Sequence, residues 1–215
     1  GSTNTGAWFD PLAQSIMVDQ EGGIFVTSVD IFFSHKDDTL PVWVELRSMK
    51  NGYPSQELLP LSRKYLNPAD VSVNVTDGTT PTKFVFPGPV YLNNNTEYCI
   101  VVASDSPEYK IWISRLGEID IGGNRAISTQ PTLGSLFKSQ NASTWTASQY
   151  EDMKFTLRRA QFDTSQNGSF TVVNEAMTKS ETALGGGNGL IPKLSANPLE
   201  SVSGQSKVKV KFVNH

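Results

Sequence analysis

A period of two in apolar side chains, repeated along the chain, leaves it few folds other than one built from β-strands. Phe25, Thr27, Val29, Ile31 and Phe33 alternate with Val26, Ser28, Asp30 and Phe32. Successive side chains of a strand point to opposite faces, so this spacing reads as one long half-buried strand. Val42, Val44 and Leu46 alternate with Trp43, Glu45 and Arg47 and give a second. Phe84 and Phe86 mark another, which is expected to stop at Pro87-Gly88-Pro89. Tyr98 to Ala103 is apolar on both faces, as in a strand covered on both sides. Tyr109, Ile111 and Ile113 face one way, and Lys110, Trp112 and Ser114 the other. Phe155 and Leu157 continue the pattern. Ala160 and Phe162 keep it only if the register slips by one, which places a bulge near Arg158-Arg159. No window holds helical periodicity for more than two turns.

The connections have their own chemistry. In Asn51-Gly52-Tyr53-Pro54, Gly permits positive φ and Pro fixes its own. Leu66-Asn67-Pro68-Ala69-Asp70 is a turn, or one helical turn, ahead of a strand expected from Val71, Val73 and Val75; Asp77-Gly78 is the next reversal. Short strands with Gly/Pro turns between them mean a sandwich or a barrel. Connections of unequal length favour the sandwich. The fold class is therefore all-β: a two-sheet antiparallel β-sandwich, jelly-roll-like. It carries one long loop, about 117–153, that is expected to pack on it through Leu133, Leu136, Phe137 and Trp145. Residues 8–162 form this module. Residues 163–215 are an extension or the start of a second small β module. They include a possible strand at 168–177, a Gly-rich linker at 178–189, and the alternating Lys207-Val208-Lys209-Val210-Lys211-Phe212 of a protected edge strand.

Composition narrows the function. The 215 residues suffice for one hydrophobic core. The net charge of −3 with both signs scattered excludes a nucleic-acid groove, which needs clustered Lys and Arg. The longest apolar runs fall far short of the roughly 20 residues that span a bilayer, so no membrane partner is expected. The single Cys99 sits in an apolar run and reads as a buried, inert thiol. The opening Gly1-Ser2 reads as an expression scar, and the stop at His215 after a strand-like run suggests a fragment of a longer protein.

Reactive constellations are thin. His35 is the one histidine away from the terminus; Asp37 is near it, but no serine elbow accompanies the pair. Glu118 with Asp120, and Glu151 with Asp152, are adjacent on one loop instead of facing each other across a cleft as glycosidase acids do. The plainer reading of Glu151-Asp152 is that they accept hydrogen bonds from loop amides. Asp37-Asp38, Asp77 and Asp105 are turn residues without metal-ligand spacing, so no cofactor is expected, a structural Ca²⁺ held by loop carbonyls aside. Arg115, Arg158 and Arg159 are expected to pair with Glu118, Glu151 and Asp152. Asn74, Asn94, Asn141 and Asn167 begin N-x-S/T but read as turn composition. Trp43 and Trp112 lie opposite their strands' main core residues. With Glu45, Arg47, Lys110 and Trp145 they make a candidate interaction surface, or else they are rings covered by the chain's own loop.

Two groups of segments carry a family resemblance. The first is Asp10–Ser15, Gly22–Phe33, Asn51–Ser55, Pro89–Leu92 and Glu97-Tyr98. The second is Trp112–Glu118 followed by Gln130–Phe162. Together, over residues 10–162, they resemble a module of large tail or baseplate structural proteins of contractile-tailed, T-even-like bacteriophages that infect cyanobacteria. The first group also resembles jelly-roll modules of bacterial surface and carbohydrate-binding proteins. The phage resemblance implies a non-enzymatic β-rich part that brings no catalytic residues. Its partners would be other virion tail or baseplate proteins, and its place the virion, after assembly in the host cytoplasm. The alternative it leaves is an adhesion module contacting host surface polysaccharide.

Overall fold

The computed structural model describes residues 11–119, 126–128, 134–140, 143–163 and 165. They hold fourteen strands, all paired antiparallel, one 3₁₀ turn at Pro68–Asp70 and no α-helix. The strands are β1 (Leu12–Val18), β2 (Ile24–Ile31), β3 (Phe33–His35), β4 (Val42–Lys50), β5 (Tyr53–Leu58), β6 (Lys64–Leu66), β7 (Thr82–Leu92), β8 (Thr96–Ser104), β9 (Lys110–Ile111), β10 (Ile113–Arg115), β11 (Leu136–Lys138), β12 (Thr146–Ser148), β13 (Glu151–Met153) and β14 (Phe155–Arg159). The chain divides into two compact units, residues 1–161 and 162–215. Of the second, only Phe162, Asp163 and Ser165 are described, so the expected linker and Lys-faced strand lie outside the described residues.

The larger sheet runs β12-β11-β1-β8-β4-β5, with β6 also on β4; the smaller runs β14-β2-β7. Inward residues of both sheets join one hydrophobic cluster. Ile16, Val44, Leu46, Ile100 and Leu136 come from the first, and Val29, Ile31, Phe84, Val90 and Leu92 from the second. β8 sits between β1 and β4 and is buried from Tyr98 to Ser104, as its two-sided apolar sequence requires.

Three expectations are corrected by the ladders. β7 does not stop at Pro87-Gly88-Pro89. Phe84, Phe86, Val90 and Leu92 all face the core, while the pairing jumps from Ser28↔Val85 to Val26↔Val90. The prolines, which lack a donor, sit in the unpaired bulge between. The same irregularity flips β2 at Thr27, so Val26 is buried and Phe25 is turned outward. Val71, Val73 and Val75 make no strand, only an isolated bridge from Val73 to Phe33. Here side chains replace the ladder: the Ser72 amide donates to Thr82 Oγ1 (3.0 Å), and Asn74 Oδ1 accepts from the amides of Thr76 and Asp77. The bulge between Arg158 and Arg159 is present as expected.

The long connection is not structureless either. It contains β11, β12 and β13, and β11 adds directly to β1 with Leu12↔Lys138 and Gln14↔Leu136. Phe137 and Trp145 close a second apolar cluster over Ala13, Cys99 and Val101, on the face of β1 and β8 away from the main core. Leu133, also expected to pack there, lies outside the described residues.

At one end the smaller sheet forks. β2 and β14 pair as far as Ile31↔Phe155; beyond that point Phe33 takes Ile111 and Met153 takes Ile113. The segment 110–115 therefore enters between diverging strands, with Trp112 at the apex. Its amide donates to the Phe32 carbonyl (2.8 Å) and its carbonyl accepts from the Lys154 amide (3.0 Å).

Candidate functional site

The six residues expected to share one surface do not share it. Trp43 is 4% exposed and packs against the Tyr65 ring, at 5.3 Å between centroids. β6 covers it because Trp43↔Tyr65 is a cross-strand pair, so its cover is not the 130s loop. Trp145 is buried in the second cluster. Trp112 is half-buried; its Nε1 donates to the Asn74 carbonyl (3.0 Å), and the turn at Gly78 lies against the indole. Lys110 alone of the six is exposed.

Glu45 and Arg47 belong to a buried charge cluster. Glu45 is fully buried, paired with Arg47 on its own strand and with Arg63, whose Nε reaches Glu45 Oε2 at 2.6 Å. Arg63 comes from the link between β5 and β6. That link is tied to β4 by Ser62, whose Oγ accepts from the Leu46 amide and donates to the Leu46 carbonyl (3.0 Å). The charges thus tie this edge of the larger sheet to its cover. A buried carboxylate is tolerable in this way only when paired and hydrogen-bonded.

Glu151 forms a second cluster across strands. Lys138 Nζ and Arg115 each reach it at 2.6 Å, and Arg115 also reaches the exposed Glu118 at 3.1 Å. Hydrogen bonds from Lys138 and then Arg115 hold the Glu151 carboxyl down at about 2. Its partners are side chains, not the loop amides expected. Arg158 pairs instead with the buried Asp30 (2.6 Å), and Arg159 donates to Gln20. Asp120, the expected companion of Glu118, lies outside the described residues.

Asp152 meets Gln14. Gln14 Nε2 donates to Asp152 Oδ1 (3.0 Å) and Gln14 Oε1 accepts from the Met153 amide (2.8 Å), all of it buried. Asp152 Oδ2 is buried with no hydrogen-bond partner among the described residues, and burial pushes this carboxyl up. Gln14 is not among the residues that motif spacing singles out. The signal was there: in Leu12-Ala13-Gln14-Ser15-Ile16, a glutamine occupies a core position of the period-two pattern, and such a residue needs a partner inside.

The remaining reactive types are engaged elsewhere. The Asp37 carboxylate accepts from Ser106 Oγ and from the Leu40 and Thr39 amides, which hold it well below the usual carboxylate range and make it a loop tie. His35 lies on the exposed end of β3 beside Ser34. Burial pushes the Cys99 thiol up to about 12, the inert state its apolar run suggests. Among the described residues, no group of three or more His, Cys, Asp or Glu is placed to hold a metal. Nor is any helix long and apolar enough to cross a membrane.

What these arrangements do chemically is join strands. Glu45 joins β4 to the β5–β6 link, Glu151 joins β13 to β10 and β11, Asp30 joins β2 to β14, and Gln14 joins β1 to β13. Comparison with known proteins adds no assignment: no family model, no curated protein and no solved structure matches the chain.

Proposed function

We propose that the chain is a non-enzymatic structural module of a contractile-tailed phage, part of the tail or baseplate. We propose further that its two sheets form a β-sandwich of jelly-roll type. In this reading it is assembled in the host cytoplasm, resides in the virion and presents a surface on which neighbouring subunits pack. The observation that carries the reading is the use made of the buried charges. Glu45, Glu151 and Asp30 are each committed to arginine or lysine from a neighbouring strand or link, which suits a part selected for a fixed shape. The family resemblance over residues 10–162 supplies the setting. A packing surface is available on the outward side of the smaller sheet, where Phe25 and Tyr91 stand as a cross-strand ring pair 4.9 Å apart and Val85, beyond the bulge, is also exposed. In a symmetric tail many copies of one weak contact add up.

The test is antibody labelling of intact particles of the phage that encodes the chain, with antibodies raised against residues 11–161. Gold at the tail or its distal end is expected. Particles that never carry the label, with the chain confined to the unassembled lysate, overturn the reading. The polysaccharide alternative would predict saturable binding of host glycans that is lost on Tyr91→Ala.

A further inference from the structure

The forked end of the smaller sheet faces the larger sheet across a half-open cleft of about 370 Å³. That size lies in the range of small-ligand sites, roughly 300 to 1,000 Å³. Phe33, Val42 and Val102, all buried core residues, form its floor, and Ile111 and the partly exposed Ile113 line its side. The fork explains why it is open: the strands that would have closed this end diverge to admit residues 110–115.

The polar groups around the cleft are of two kinds. The hydroxyls are spent. Ser104 donates to the Pro41 carbonyl (2.8 Å), Ser106 to Asp37 (2.5 Å), and Tyr109 to the Leu40 carbonyl (2.6 Å). That leaves few convergent donors and acceptors for a sugar. The charged groups are Lys110 and Lys138, with no carboxylate among the lining residues. Lys138 shares Glu151 with Arg115, whereas the Lys110 ammonium has no ion pair among the described residues. An apolar interior whose charged lining residues are both lysines fits an apolar body with an anionic head.

We propose that this cleft binds an aliphatic carboxylate, with its chain on Phe33, Val102 and Ile111 and its head beside Lys110. The proposal does not depend on the virion reading. Burying the alkyl chain supplies the affinity, at about 0.8 kcal/mol per CH₂. The ammonium selects the head.

Titrating sodium decanoate, 1-decanol and decyltrimethylammonium into the full chain at low ionic strength tests it, by calorimetry and by methyl chemical shifts of Val102 and Ile113. Decanoate is expected to saturate with shifts at both methyls, decanol to bind about fivefold more weakly, and the cationic head to bind weakest. Lys110→Glu, at an exposed position, is expected to weaken decanoate by about five- to tenfold and to erase its advantage over decanol. Absence of saturation by decanoate, equal affinity for the three heads, or an unchanged affinity in Lys110→Glu overturns the proposal. So does displacement of decanoate by an acidic peptide that carries an apolar anchor and binds more tightly, because the cleft would then be a socket for a protein partner.

Discussion

Glu45→Ala offers the sharpest perturbation, because the structure states what remains behind. The carboxylate is fully buried, Arg47 beside it is 3% exposed, and Arg63 reaches it from a half-exposed position. Removing the carboxylate leaves the Arg47 guanidinium in the interior without its counter-charge. Breaking a buried pair from one side costs about 3–5 kcal/mol. Arg63→Ala removes only the half-exposed partner and leaves the inner pair whole, so its cost is about 1 kcal/mol. Glu45→Gln keeps the volume and an acceptor but loses the charge, and belongs between the two. Equilibrium urea unfolding of the full chain, followed by far-ultraviolet circular dichroism and tryptophan fluorescence, measures all three. The expected order of loss is Glu45→Ala, then Glu45→Gln, then Arg63→Ala, with the slope on urea unchanged. A Glu45→Ala protein within about 1 kcal/mol of the parent, or an Arg63→Ala protein as damaged as Glu45→Ala, refutes the reasoning.

Other substitutions probe the remaining joints. Trp145→Ala removes the ring that closes the second cluster over Cys99 and Val101; a loss of about 3 kcal/mol and faster proteolytic cleavage within 134–150 are expected. Glu151 titrates at about 2 in the fold against an ordinary 4.5. A depressed acid contributes stability that is fully present above its unfolded value and is lost as pH falls toward the folded one. Glu151→Gln should therefore flatten the acid limb of the stability profile between those values, with Asp37 still contributing its own share. Asp152 runs the other way. Its carboxyl is pushed up, so its contribution is best below the ordinary 3.8 and declines as pH rises through the folded value. Asp152→Asn keeps the acceptor for Gln14, and its melting temperature should equal or exceed the parent's at pH 7 and lose that advantage in acid.

Much of the architecture was legible where one face of a strand is simply apolar. β4 and β14 follow their alternation, β8 is buried on both faces as its unbroken apolar run implies, and the slip at Arg158-Arg159 was visible because Leu157 and Ala160 cannot share a parity. The sequence misleads where a local event changes parity without changing composition. Phe25 is as apolar as Val26, so the flip at Thr27 leaves no trace in β2, and its cause is the proline bulge in a strand dozens of residues away. Val71 to Val75 alternates as a strand should, but Asn74 and Thr82 offer the backbone other partners. The site was legible as residues and opaque as geometry. Trp43, Glu45 and Arg47 were placed on the right face of β4, yet a face opposite the core reads as exposed unless its cover is known. Here the cover is Tyr65 and Arg63, from a β6 and a β5–β6 link that carry little periodicity of their own. Likewise Arg115–Glu151 follows from charge, whereas Arg158 reaches Asp30 diagonally across the β14–β2 ladder, where Thr156 is opposite Asp30 and Arg158 is opposite Ser28, a register that the sequence does not show.

The central claim is that residues 134–140 and 143–153 are an integral layer fastened to β1 and not a free functional loop. Amide hydrogen exchange on the full chain tests it most directly. Its amides have defined partners: Ser135 donates to Ser15 Oγ, Ser139 to the Pro11 carbonyl, and Met153 to Gln14 Oε1. These three are expected to be protected to a degree comparable with β1, and Gln14→Ala is expected to release Met153 first. Exchange of all three at the rate of an unstructured peptide, with β1 and β8 still protected, would contradict it.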